Sequence, residues 1–233
     1  MRLPSLDDRL SRAAAMFPAC DYGADIGADH GRLSCYLLAN DRCKRMCVAD
    51  ISAESLEKAR RLLALHGLSE RADIEVGDGL AALHQQTQAI AILGMGGHTL
   101  SEILLSGREK LQGAALVLSA HTQLPLVRET LHRLDYTLER EEIARAAGRF
   151  YVVMRAVPGK MEADERTLFL GPCLSRSCAE GYPAYLQWRI GATSCERTDA
   201  AARMTRGGRK PERWGRRRCS PARCAIITRW PRR

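Results

Sequence analysis

Residues 21–31 read Asp21-Tyr-Gly-Ala-Asp-Ile-Gly-Ala-Asp-His-Gly31, and the fold turns on them. Tyr22–Ile26 reads as a short buried strand. Gly27 and Gly31 frame a turn that also carries Asp25, Asp29 and His30, and a helix is expected over 32–39. Glycines let a backbone approach a ligand closely, and carboxylates accept hydrogen bonds from hydroxyl or ammonium groups. The stretch is not the Gly-x-Gly-x-x-Gly of dinucleotide sites. Asp29 stands where the second glycine would be, and a carboxylate there repels a pyrophosphate. A ligand without phosphate charge fits the turn better.

Outward from that turn, strands and helices alternate. Ser5–Phe17 has Leu6, Leu10, Ala13 and Phe17 at helical spacing behind a Ser N-cap, and Pro18 ends it. Residues 45–50 form a second apolar run closed by Asp50. Ser52–His66 is the clearest helix, with Ser52 and Ser55 available as caps and Gly67 as its stop. Further strands are expected at 72–76, 89–93 and 114–119, with helices at 98–106 and from Leu126 onward. Two consecutive strands, 136–143 and 149–157, come next around a turn at Ala147-Gly148. Strand-helix alternation of this kind predicts an α/β fold: a mostly parallel seven-stranded sheet, helices on both faces, and one antiparallel partner from the closing pair.

Composition divides the chain. Of 36 basic and 27 acidic residues, 191–233 hold 13 and 3, which leaves 23 and 24 in 1–190. The excess positive charge therefore belongs to the end of the chain and does not describe the folded body. No run approaches the roughly 18 apolar residues of a membrane helix. The amino terminus lacks an apolar signal core, so a cytoplasmic location is expected. The nine cysteines are expected as free thiols. Cys43 and Cys47 sit four apart but on a strand pattern, so no metal site is expected. Tyr182–Ile190 reads as the start of a helix, and from Gly191 the periodicity breaks. Three readings of 191–233 stand: a basic arm for RNA phosphates, a disordered segment, and a frameshifted translation of a helical domain.

Every Gly/Asp cluster falls at the end of a strand, where such sheets bind ligands. Asp50 ends the second strand, placed to accept from ribose hydroxyls. Gly77-Asp78-Gly79 ends the third, where a carboxylate can accept from an adenine amino group. Gly94-Met95-Gly96-Gly97 ends the fourth. The order suggests S-adenosylmethionine, whose sulfonium, amino acid, ribose and adenine carry no phosphate. Taken singly, each cluster is also an ordinary turn or helix cap.

Arg9-Leu10, Ala24-Asp-Ile-Gly-Ala-Asp-His30, Gly67-Leu68, Gly77-Asp-Gly-Leu80, Gly94-Met-Gly-Gly97 and Gly148-Arg-Phe-Tyr151 together resemble the bacterial tRNA (adenine(22)-N(1))-methyltransferase family, over about residues 6–157. The resemblance implies a Rossmann-like class I methyltransferase domain, here 1–159. A helical C-terminal region comes after it, here 160–233, partly helical and aberrant at its end on the frameshift reading. It implies methyl transfer from S-adenosylmethionine to N1 of a tRNA adenine. By motif, Asp25 and Gly27 belong to the cofactor loop, Asp50 to the ribose, and Asp78 with Gly79 to the adenine. Gly94, Met95 and Gly96 line the junction with the target base, and Asp29 matches the aspartate that handles that base. Where many members carry Gln-Pro-Asn after the fifth strand, this chain has Ser119-Ala120-His121. A class I methyltransferase with another substrate, and a non-catalytic nucleoside- or RNA-binding relative, are the alternatives.

Overall fold

The computed structural model describes residues 3–177 and 181–190. Residues up to Trp188 belong to one compact unit, and a second begins at Arg189. The three readings of 191–233 concern residues outside the described ones.

The elements in chain order are α1 (Asp8–Met16), β1 (Cys20–Ile26), α2 (Arg32–Ala39), β2 (Cys43–Asp50), α3 (Ala53–Leu65), β3 (Ala72–Val76), β4 (Ala89–Met95), α4 (Gly97–Ser106), α5 (Arg108–Leu111), β5 (Ala115–Ala120), α6 (Leu124–Arg133), β6 (Tyr136–Ala146), β7 (Arg149–Pro158), α7 (Glu165–Leu170) and α8 (Pro172–Ser177). A helix α9 spans 182–190.

Seven strands form one sheet in the order β3-β2-β1-β4-β5-β7-β6. The first five pair in parallel. β7 runs antiparallel to both β5 and β6, so β6 points the same way as the parallel five. The chain moves outward from β1 to β3, then returns to the other side of β1 for β4. That reversal leaves a crevice outside the carboxyl ends of β1 and β4. The β6–β7 turn lies at the same end of the sheet.

Both faces are covered, as near-continuous apolar strands require. On one face Leu33, Leu37, Leu56, Leu63 and Phe17 pack on Met46, Val48, Ala91 and Val117. On the other, Leu100, Leu104, Val127, Leu131 and Tyr185 pack on Ile26, Ile90, Ile92 and Leu118. The described cysteines are all free.

Local chemistry sets the boundaries. α1 starts at Asp8 and not at Ser5, because Asp7 is the cap: its Oδ1 accepts from the Leu10 N–H at 2.8 Å. A carboxylate at a helix start gains both the hydrogen bond and the favourable end of the helix dipole. Ser52 caps α3 through the Ser55 N–H. α6 begins two residues before Leu126, because Pro125 suits the first turn of a helix. The segment after Gly171, which shows no period in the sequence, forms α8 with Pro172 at its first position.

One buried ion pair ties this last segment to the sheet. The side chains of Arg128 on α6 and Glu141 on β6 are both fully inaccessible, with Nε to Oε1 at 2.8 Å. Arg128 Nη1 also donates to the carbonyls of Leu168 and Phe169, at the end of α7. Glu141 Oε2 accepts from the N–H groups of Cys173 and Leu174, at the start of α8. The pair thus satisfies carbonyls at one helix end and N–H groups at the next helix start. Gly171 lies between them at φ +97, and a Cβ there would sit 2.7 Å from Arg128 Nη2. Removing one partner of a buried pair leaves an uncompensated charge and costs about 3–5 kcal/mol. Glu141→Ala is therefore expected to lose about that much stability in urea denaturation, with early amide exchange across α7 and α8. A loss below about 1 kcal/mol, the range of exposed pairs, would refute this role.

Candidate active site

The turn after β1 is built from alternating left-handed residues: Gly27 at φ +71, Asp29 at +50 and Gly31 at +65. The N–H groups of Gly27 and Ala28 both donate to the Ala49 carbonyl, at 2.8 and 3.0 Å. Asp29 N–H donates to Asp50 Oδ2 at 3.0 Å. The end of β2 therefore shapes the loop that leaves β1. Gly27 takes a left-handed φ that strains other residues, and the Met95 methyl fills the place of its missing side chain. Aspartate is among the few residues that tolerate the left-handed region, which suits it to position 29. No side chain caps α2, whose cap position is Gly31. Asp29 is mostly exposed, with Ser55 Oγ donating to its Oδ1 at 3.4 Å and His30 Nε2 lying 3.5 Å from the same oxygen.

A cleft of about 270 Å³ opens beside this loop. Asp25, Gly27, Asp29 and His30 line it from β1 and its turn, Gly94 from β4, His121 from the end of β5, and Arg9 from α1. Asp25 is 3% exposed. Ser34 Oγ donates to its Oδ2 at 2.6 Å. Burial raises the Asp25 pKa to about 6, against the lowering effect of the Ser34 hydrogen bond. Arg9 Nη1 is buried without a hydrogen-bond partner, and its guanidinium lies over the Tyr151 ring, 5.6 Å from the centroid. Gly94 takes φ +80, a region that favours glycine, and a Cβ there would lie 3.0 Å from Arg9 Nη1. Met95 covers Gly27. Gly96 has an ordinary φ of −69 and precedes α4; a Cβ there would only touch Thr122 Oγ1 at 3.6 Å.

At the same end of the sheet β2 and β3 finish side by side, with Asp50 opposite Val76. Asp50 Oδ1 accepts from the Ser52 N–H at 2.9 Å while Oδ2 holds Asp29. Ile51, next to Asp50, is 73% exposed, and Val76 is 63% exposed. Asp78 makes no capping bond in the short helical turn after it. Gly79 at φ +54 packs on Ile103, which a Cβ would meet at 3.0 Å. Two exposed aliphatic side chains between two carboxylates suit a flat heterocycle with polar edges. A larger groove of about 390 Å³ lies between α1, β6 and 181–184. Arg12 pairs there with both Asp8 and Glu142 at 2.9–3.0 Å, and Arg145 lies over the Phe150 ring, 4.5 Å from its centroid.

Residues 6–154 match the family model described as a methyltransferase domain. The tRNA (adenine(22)-N(1))-methyltransferase of Bacillus subtilis (strain 168) is 32% identical over 160 residues, which cover 68% of this chain and 67% of that protein. The chain belongs to the tRNA (adenine(22)-N(1))-methyltransferase family. Its fold agrees. The crystal structure of the B. subtilis m1A22 tRNA methyltransferase TrmK superposes with a TM-score of 0.77 at 26% identity, covering 84% of this chain and 88% of that one. A Streptococcus pneumoniae structure in complex with S-adenosyl-L-methionine gives 0.76 at 26% identity, covering 83% and 91%. The sheet is thus a Rossmann-like methyltransferase sheet with an antiparallel edge.

Within this family fold, the structure brings Asp25, Gly27, Asp29 and Gly94 to one cleft. Met95 closes over Gly27. Asp50 sits at the rim through its bond to the Asp29 amide. Asp78 and Gly79 lie farther along the same end of the sheet, and Gly96 presents backbone alone. Sequence reasoning singled out neither Arg9 nor Ile51, and named His121 only as a departure from the family pattern, yet Arg9 and His121 line the cleft. Arg9-Leu10 figured only as part of a resemblance, and nothing local marks an α1 arginine as reaching β4. Tyr151 is half-buried, yet it faces His121 with ring centroids 5.4 Å apart. His98 is exposed on α4.

In a carboxyl-carbon NMR titration Asp25 is expected to titrate near 6. Ser34→Ala is expected to raise that value further, because it removes a donor that favours the ionised form. An unchanged value in Ser34→Ala would refute the assigned cause.

Proposed function

We infer that this protein transfers a methyl group from S-adenosylmethionine to N1 of adenine 22 in tRNA. The observation that carries the reading is the cleft at the β1/β4 reversal, lined by complementary unpaired charge, in a chain of this family. The residues present suit the cofactor. Arg9 Nη1, buried and unpartnered, matches a ligand carboxylate, and Asp25 matches an ammonium. Asp50 would accept from the ribose and Asp78 from the adenine amino group, with Ile51 and Val76 against the ring. Gly27, Gly79, Gly94 and Gly96 keep side chains out of the path, and Met95 sits where cofactor and target base meet. All these residues lie within 1–159, which we propose as the catalytic domain. We propose residues 160–233 as a region that serves RNA binding.

When bound, S-adenosylmethionine supplies a methyl carbon on a sulfonium, and its bond to sulfur breaks as the bond to adenine N1 forms. The residues act mainly by holding N1 in line with that carbon. N1 lies on the pairing edge, so the adenine must leave its stack. Methylation leaves the base cationic, and we propose that the Asp29 carboxylate stabilises it. Arg145 and Arg149, exposed beside the turn between β6 and β7 at the same end of the sheet, are placed to meet tRNA phosphates. No helix among the described residues is long and apolar enough to cross a membrane, and the cytoplasm is the proposed location.

Incubation with S-adenosylmethionine and an unmodified tRNA transcript is expected to yield 1-methyladenosine by nucleoside mass spectrometry. A transcript carrying guanosine in place of the target adenosine is expected to yield none. No 1-methyladenosine from the unaltered transcript would refute the function. Asp29→Asn keeps the left-handed backbone accessible and removes only the charge. It is expected to lower kcat about 100-fold with cofactor affinity retained, and an unchanged kcat would refute the role.

Calorimetry tests the cofactor site. Arg9→Ala removes a charge-assisted hydrogen bond of about 1.5–3 kcal/mol, so Kd is expected to rise at least about tenfold. Pairing with an ammonium requires ionised Asp25. Below pH 6 that carboxyl must release a proton on binding, so affinity is expected to rise with pH and level off above about 6. A pH-independent Kd between pH 5 and 7 would refute the assignment of Asp25.

A further inference from the structure

We propose that His121 holds the target adenine, its neutral Nε2 accepting a hydrogen bond from the exocyclic amino group. The proposal rests on the adenine-N1 reading above and names a contact on the base.

His121 comes directly after β5, the strand beside β4, where the β4–β5 register shifts between Leu93 and Met95. The shift leaves Gly94 as an extra residue, the way a bulge re-aims the neighbouring chain. The His121 N–H donates to the Met95 carbonyl at 2.8 Å, fixing the backbone there. From that anchor the ring turns toward Gly94. A Cβ on Gly94 would lie 3.9 Å from His121 Nε2 and 3.0 Å from Arg9 Nη1. With no side chain at position 94, bare backbone lies beside an imidazole and a guanidinium on the wall of the cleft. Tyr151 braces the ring edge-on at an interplanar angle of 68°. No hydrogen bond occupies the imidazole nitrogens within the described residues, so one is available to a ligand.

The charge around the ring favours the neutral form. Burial lowers the His121 pKa, and the positive charges of Arg9 on α1 and Arg149 on β7 lower it further. Tyr151 on β7 is the other titratable neighbour. Asp25, Asp29, His30 and Arg32 line the same cleft from β1, its turn and α2. A neutral imidazole with its proton on Nδ1 accepts at Nε2. The adenine amino group offers the matching donor, and a 6-oxo purine offers an acceptor instead, so the same contact discriminates between purines. An imidazolium would lose the acceptor and add positive charge beside N1 as that atom becomes cationic. His121 therefore orients the base before transfer, and Asp29 acts on the charge that transfer creates.

The test is steady-state kinetics of the full chain on the unaltered transcript at saturating cofactor, with pH profiles. His121→Ala is expected to lower kcat/KM for tRNA about tenfold, the loss of one uncharged hydrogen bond, with cofactor Kd and melting temperature unchanged. His121→Asn supplies a carbonyl acceptor that does not titrate. It is expected to stay within about threefold of the parent protein and to lack the acid limb that His121 contributes, because Asp25 acts on cofactor affinity and does not limit the rate at saturating cofactor. Full kcat/KM in His121→Ala would overturn the proposal. So would an Asn variant as impaired as the Ala variant, or one with an unaltered acid limb. A parent protein that forms no 1-methyladenosine would overturn the function and this contact together. Loss confined to the variants' behaviour on tRNA, with the parent active, separates the two.

Discussion

The carbonyl of Ala49 accepts from both Gly27 and Ala28, and the site depends on that small arrangement. It fastens the turn after β1 to the end of β2, while the Asp50 carboxylate takes the next amide. Three alternating left-handed residues make such a tight exit possible, and only glycine or a residue such as aspartate accepts those angles without strain. Because the turn is held low, the space above β1 and β4 stays open. The Met95 methyl then occupies the place a side chain at position 27 would fill. One backbone constraint thus orders the loop that lines the cleft and leaves room for Met95 behind it.

Electrostatics completes what the backbone opens. Burial pushes the Asp25 carboxyl up to about 6, against the lowering effect of its hydrogen bond from Ser34. Arg9 brings a guanidinium to the same cleft with one nitrogen unsatisfied. A buried charge or donor without a partner is costly, and a ligand carrying both an ammonium and a carboxylate relieves both. Burial lowers the His121 pKa, and the charge of Arg9 lowers it further. The Arg128–Glu141 pair plays a separate, structural part, fastening α7 and α8 against α6 and β6 away from the cleft.

Much of the fold was legible because strands and helices announce themselves by period. Ala72–Val76 and Arg32–Ala39 match their expected ranges, since Gly31 and Asn40 bound the helix and Gly77 ends the strand. The start of α1 was misplaced because Ser5, Asp7 and Asp8 are all plausible caps, and only the geometry chooses Asp7. α8 was not visible, since six residues hold too little periodicity and its start is stabilised by Glu141, 32 residues away.

The sequence alone determined the turn at 27–31, the acidic ends of the first three strands and the glycines at 94, 96 and 97, because each depends on local backbone geometry. It also carried the family, since those short motifs fall in a fixed order. Tertiary structure decided which side chains join them. Arg9 reaches Gly94 across more than eighty residues of chain, and His121 reaches it from the neighbouring strand. Neither residue bears a local mark of its role. An arginine on an amphipathic helix and a histidine after a strand are ordinary until the sheet order places β4 between β1 and β5. The physical reason is that strand order is a long-range property. It is set by which apolar faces bury together, and it alone determines which loops share one end of the sheet.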